Sequence, residues 1–181
     1  MSTELANKID RNNVRHMMVL SCAPLLAGLK IASLFVTRAI NYEEVLSVLK
    51  GTEVEILILS SNNGMLTLLL YNREELSKYL SRNMNASFLR KLDYKSCDVD
   101  VVLSEFSNRY SLYLEGRMDF PHEMGIILGY PLEDVNGFMC NQGKNYLLSG
   151  YWKVYYRPAN ARRIFKEYDE ATERMIKELV G

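Results

Sequence analysis

The chain has 181 residues, with 22 Lys and Arg against 22 Asp and Glu, so its formal net charge is zero. That balance argues against the broad electropositive surface that nucleic acid or an anionic membrane would select. A hydrophobic fraction of 48% supports a real core, and the length fits a single domain spanning 1–181.

Leu5, Ile9, His16, Met17 and Leu20 recur at helical spacing, with His16 near the C-terminal end of the helix they predict. Pro24 is expected to break that helix and open a short one that Gly28 ends. Cys22 then stands just before a helix N-terminus, where exposed N–H dipoles stabilise a thiolate. The competing reading makes Cys22 a small buried hydrophobe.

Ala32–Thr37 reads as a strand, and Asn41 with Glu44 forms a capping box for a helix from Tyr42 to Lys50. Val54–Leu59 and Met65–Tyr71 flank Asn63-Gly64, a strong hairpin signal. Both strands are nearly continuously apolar, which predicts central positions. Asn72 and Glu75 cap a helix through Leu76, Tyr79 and Leu80, and Asn83 and Asn85 interrupt it. Ser96 caps a helix whose apolar side carries Val99, Val102, Leu103, Phe106 and Tyr110.

Phe120–Tyr156 is the most punctuated stretch. Pro121, Gly129 and Pro131 frame two short helices, and Leu132, Val135, Phe138 and Met139 give the second an apolar face. Tyr146–Tyr156 is aromatic-rich and reads as a strand, and Pro158 starts a long final helix. This order predicts an α+β fold. A small, largely antiparallel sheet (hairpin 54–71, strands near 32–37 and 146–156) carries helices packed on it.

Three far-apart cysteines without a CxxC pair fit a reducing compartment. The N-terminal MSTELANKID carries no secretory signal, and no apolar run reaches the ~18–20 residues of a membrane span. A cytoplasmic protein without membrane insertion is expected.

Three groups of residues carry a resemblance. They are Cys22-Ala23-Pro24 with Ala27-Gly28-Leu29-Lys30 and Ser33-Leu34-Phe35; Phe120-Pro121-His122-Glu123 with Leu128-Gly129-Tyr130-Pro131-Leu132-Glu133-Asp134-Val135; and Gly143-Lys144-Asn145 with Gly150-Tyr151-Trp152-Lys153-Val154-Tyr155. Together they resemble a bacterial family catalogued as domain of unknown function 3793, over nearly the whole chain. The family pattern often has Cys where this chain has Tyr151, and Ile where it has Met124. The resemblance implies no activity. It singles out Cys22, Lys30, His122, Glu123, Glu133, Asp134, Lys144, Asn145 and Lys153 as pattern residues.

Three functional classes follow. In the first, Cys22, His122 and Glu123 are catalytic candidates for thiol-dependent chemistry at a small-ligand site, since an imidazole within reach of sulfur generates thiolate. Lys30, Tyr130, Glu133, Asp134, Lys144, Asn145, Trp152 and Lys153 are its ligand-binding candidates. In the second, Cys22, His122, Glu123 and Cys140 offer mixed ligands to a metal such as iron, although HExxH and CxxC spacings are missing. In the third, His122–Met139 is a helix-turn-helix-like hairpin serving a protein partner. Its second helix, Pro131–Phe138, is acidic and has no base, so DNA phosphates would repel it. No cofactor is indicated. The partner is a small ligand or a protein, and nucleic acid is disfavoured.

Overall fold

The computed structural model describes residues 8–181. The chain divides into two compact units. One comprises the chain up to Asn72 together with Arg163–Gly181, and the other is Arg73–Arg162.

The first unit is a three-stranded antiparallel sheet with helices on it, and the α+β class holds. Helix α1, Val14–Leu26, starts where the Asn13 side chain accepts the His16 amide at 3.2 Å. His16 therefore sits in the first turn, not near the C-terminal end, and its Nδ1 accepts the Asp10 amide at 3.0 Å. The expected contribution of Leu5 lies outside the described residues. Pro24 does not break the helix, because it sits in the last turn. There it forfeits one helical hydrogen bond while its φ stays helical. Its carbonyl accepts the amides of Leu29 and Lys30 at 2.8 and 3.0 Å, closing the end instead.

Strand β1 is Ala32–Arg38, a 3-10 turn covers Ala39–Asn41, and helix α2 is Tyr42–Leu49. Asn41 makes no side-chain cap to α2, since its Nδ2 donates to Thr37 Oγ1 at 3.2 Å. Strands β2 (Val54–Asn62) and β3 (Met65–Asn72) form the expected hairpin. Asn63 and Gly64 have φ of 48° and 73°, the pair of positive values a two-residue type I′ turn requires.

The sheet order is β1-β3-β2, so β3 is central and β2 is an edge. A register shift between Ile58 and Ser60 bulges β2, and Ile58 is 43% exposed. An apolar composition alone thus misplaces β2 at the centre. Leu66, Leu68 and Leu70 of β3 pack with Phe35, with Val14, Met18, Cys22 and Leu25 of α1, and with Val45 and Leu49 of α2. Each fully buried leucine of this kind contributes ~1.5–3 kcal/mol. The opposite side of α1, at Val19 and Ala23, takes Ile176 and its neighbours from helix α8, Pro158–Val180.

The second unit is mainly helical. Helices α3 (Arg73–Leu80), α4 (Asn83–Lys91) and α5 (Val99–Leu114) are followed by α6 (Met124–Ile127) and α7 (Leu132–Cys140). The helix through Leu80 is interrupted as expected, but at residues 81–82; Asn83 opens α4 and Asn85 lies inside it, buried, with its Nδ2 donating to Tyr79 O at 2.8 Å. Asp98 rather than Ser96 caps α5, accepting the amides of Asp100 and Val101. The Ser96 hydroxyl instead accepts the Asp98 amide at 3.0 Å.

The predicted strand 146–156 is the largest correction. It is a two-stranded ladder, β4 (Leu148–Ser149) and β5 (Lys153–Val154), in a sheet of its own. It does not join the 54–71 hairpin. Among the described residues, no helix is long and apolar enough to cross a membrane.

Candidate functional site

In the second unit, Asp134 lies in the first turn of α7 and is 3% exposed. Its Oδ2 accepts Trp152 Nε1 at 2.7 Å. Its Oδ1 accepts the amides of Tyr155 and Tyr156 at 2.8 and 3.0 Å. Three donors on one carboxylate at a helix N-terminus offset the cost of burying the charge. Trp152 then stacks on Tyr130 with centroids 5.3 Å apart, and Tyr130 O accepts the Tyr79 hydroxyl at 2.6 Å. Gly137 completes the seat, since a Cβ there would run into the Tyr155 ring. Gly125 does the same between α6 and α7, where a Cβ would stand 2.7 Å from Val135 Cγ2. Asp134, Tyr130 and Trp152 are therefore committed to holding the Trp152–Tyr156 segment on α7.

Glu123 is also committed. It is 3% exposed, and its Oε1 accepts the Tyr94 hydroxyl at 2.9 Å with Arg109 Nη1 at 3.5 Å. Arg109 is fixed in turn by Glu105 at 2.7 Å, by Leu92 O at 2.7 Å and by the Tyr94 ring beneath its guanidinium. Burial first, and then the Glu123 charge, push the Tyr94 phenol far above its ordinary range, so it stays a donor.

His122, beside Glu123 in sequence, faces a different environment. Its ring lies 5.6 Å from Phe120 and 5.8 Å from Phe138. Phe120 continues to Tyr113 at 5.3 Å, edge to face. Lys153 Nζ stands 5.7 Å from the Phe138 ring and 5.1 Å from the Tyr146 ring, and donates to Gly143 O at 2.8 Å. Tyr113, Phe120 and Tyr146 are 37%, 40% and 46% exposed. Lys144, Asn145 and Glu133 are exposed, with Asn145 at φ 58° and its Nδ2 3.5 Å from Asn141 Oδ1.

Cys22 belongs to the first unit. It lies inside α1, fully buried among Met18, Leu25, Phe35 and Leu68. The helix N-terminus expected to activate it is absent, because α1 runs through Pro24. Burial pushes the thiol up to about 12, with Lys30 pulling weakly the other way. Lys30 Nζ donates to the buried Ser33 Oγ at 3.3 Å, and burial lowers the amine to about 8. A thiol held protonated in an apolar core lends thiol chemistry no support. Cys140 is exposed. Among the described residues, no group of three or more His, Cys, Asp and Glu side chains is placed to hold a metal ion.

Sequence reasoning missed Tyr94 and Arg109, which belong to no motif; only the Glu105–Arg109 spacing of i,i+4 hinted at a pair. It also missed Tyr113, Phe120, Phe138 and Tyr146 as one surface, because they come from separate segments.

A family model described as a protein of unknown function (DUF3793) matches residues 18–181, and the chain belongs to that family. No curated protein and no solved structure matches it.

Proposed function

We propose, for this member of a family whose description assigns no activity, that the second unit is a binding module rather than a thiol enzyme. Its binding face is the run of rings Tyr113, Phe120, His122, Phe138 and Tyr146 with Lys153, and its ligand is a protein segment carrying aromatic and acidic side chains. One observation carries this reading. Consecutive contacts of 5.3, 5.6, 5.8, 5.7 and 5.1 Å join the set without a break, yet three of its rings keep more than a third of their surface in water. Contiguous exposed apolar surface of this kind marks interaction sites, and aromatic residues lead interface hot spots.

Chemistry at the face favours the acidic partner. Lys153 places a cation among the rings, and Lys144, two residues before Tyr146 in the chain, is exposed. The Asp134 carboxylate is spent on internal donors, and Glu123 is buried on Arg109 and Tyr94. Duplex DNA is a poor occupant, since the chain has no net charge and α7 presents Glu133 with no base.

The test is a titration of labelled protein, followed by NMR, with short acidic-aromatic, basic-aromatic and uncharged polar peptides and with duplex DNA. The acidic-aromatic peptide should shift resonances of Phe120, His122 and Tyr146. The pair Phe120→Ala and Tyr146→Ala should weaken it by at least about tenfold, on the order of the ~2 kcal/mol of a hot-spot ring. Stronger binding by the basic peptide or DNA, or shifts centred elsewhere, would overturn the reading.

A further inference from the structure

Strand β2 pairs with β3 and, among the described residues, no strand lies on its other side. An unpaired strand edge is a template for a further strand, and a bulge is one way of blunting it. Here the bulge falls between Ile58 and Ser60, so Val54–Ile58 pairs with β3 without interruption and its outer edge keeps regular strand geometry. A groove of about 740 Å³ runs beside that regular half. Val54 and Ile56 line it from β2, and Glu43, Leu46, Ser47 and Lys50 line it from α2 and the residue after it. These four recur at i, i+3, i+4 and i+7, so they share one side of the helix. Leu46 is exposed, as are Glu43 and Lys50, whose side chains make no ion pair or hydrogen bond among the described residues. Glu55 also borders the groove, but its carboxylate accepts the Tyr71 hydroxyl at 2.9 Å.

We propose that this groove takes an extended peptide, which adds to β2 as an antiparallel fourth strand and lays alternate side chains against α2. The peptide carries a basic, an apolar and an acidic residue at successive alternate positions, in that order from its N-terminus. Its backbone fills the outward N–H and C=O groups of Val54–Ile58, the source of affinity in strand addition. Antiparallel pairing continues the pattern of the sheet and is the stronger kind per residue. Charge sets the composition. Lys50 is joined to β2 by a short turn, so it marks the Val54 end of the groove and Glu43 the far end. Seven helical residues put the two charges roughly 10 Å apart along α2. Alternate side chains of an extended peptide face the groove, and two of them four residues apart are separated by roughly 13 Å. Long charged side chains close that difference, and the residue midway between them meets Leu46 and Ile56. A strand antiparallel to β2 passes Glu43 before Lys50, so its basic residue precedes its acidic one. This site is independent of the aromatic face, which belongs to the other unit.

The experiment titrates the isotope-labelled full chain with the capped peptide Ser-Arg-Thr-Val-Thr-Glu-Ser and follows it by NMR. Amide resonances of Leu46 and of Val54–Ile58 should shift, while those of Phe120, His122 and Tyr146 stay in place. A copy of the peptide N-methylated at its three central residues should bind at least about tenfold more weakly, because those amides can no longer donate to β2. The peptide with Arg and Glu exchanged should bind about threefold more weakly, the modest effect of exposed ion pairs. The double variant Glu43→Lys with Lys50→Glu, changed only at exposed positions, should reverse that preference. Absence of shifts at millimolar peptide, or shifts centred outside α2 and β2, would overturn the proposal with no variant needed. So would undiminished binding of the N-methylated copy, tighter binding of the exchanged peptide by the wild-type chain, or an unaltered preference in the double variant.

Discussion

Two buried polar clusters, one in each unit, are handled in opposite ways. Asp134 is 3% exposed but accepts three hydrogen bonds from Trp152, Tyr155 and Tyr156. Lys30 brings an amine against a serine hydroxyl and a thiol, and burial disfavours its charged form. Interior charge is tolerable when its hydrogen-bonding capacity is filled, and burial in itself disfavours it. The first cluster is therefore a clamp. In the second, burial works against the charged form of the amine.

The hardest way to break that contrast is to remove the clamp's acceptor. Asp134→Ala strands the buried Trp152 indole N–H and takes the acceptor from the part-buried amides of Tyr155 and Tyr156, and should cost ~2–4 kcal/mol. Urea unfolding followed by Trp152 fluorescence measures it. A loss under about 1 kcal/mol would mean those donors readily find other partners and that Asp134 does not clamp the segment. Gly137→Ala should cost less, ~1–3 kcal/mol, because the added methyl meets the Tyr155 ring and the segment must shift to admit it. A neutral Gly137→Ala result in the same assay would show that Tyr155 is not seated as firmly as Asp134 requires.

The parts of this arrangement legible in the sequence were those set by local stereochemistry. Asn63-Gly64 announced its hairpin because few other residue pairs accept two positive φ values in succession. Gly129, at φ 78°, ended one short helix and Pro131 preceded the next for equally local reasons. What was lost depended on partners distant in the chain. The Trp152 segment is rich in strand formers, yet Asp134, 18 residues earlier, holds it largely in loop conformation through side-chain bonds. Pro24 looked like a break because a sequence does not show that the helix is already ending there. That one shift moved Cys22 from a helix end into a core. His122 and Glu123 are adjacent in sequence, but one joins an aromatic surface and the other a buried ion pair. Neighbours on a helical turn point different ways, so a shared motif did not mean a shared task.

The smallest effect expected, and the sharpest on the comparison, is the pH dependence of the Lys30 cluster. Its folded amine titrates at about 8 against an ordinary value of 10.5. Between those values the unfolded chain binds a proton that the folded chain does not, so this group makes stability rise with pH, and below about 8 its cost is constant. Cys22 acts in the opposite sense. Its thiol is raised from 9.0 to about 12, so the unfolded chain loses a proton first and stability falls across that range. The unfolded thiol is already half ionised at pH 9.0, so the two windows overlap and oppose each other; a comparison of wild type with Lys30→Met, which keeps Cys22, isolates the Lys30 part. Lys30→Met removes the buried amine and should be more stable than wild type near neutrality. Its advantage should shrink by about 1 kcal/mol between pH ~8 and ~9 in paired urea titrations, slightly less than the ~1.4 kcal/mol per pH unit of one fully displaced proton. An advantage that stays flat or grows with pH would mean that Lys30 keeps its proton in the folded chain. The amine would then be an ordinary solvated lysine, and the contrast with Asp134 would collapse from the side of the first unit.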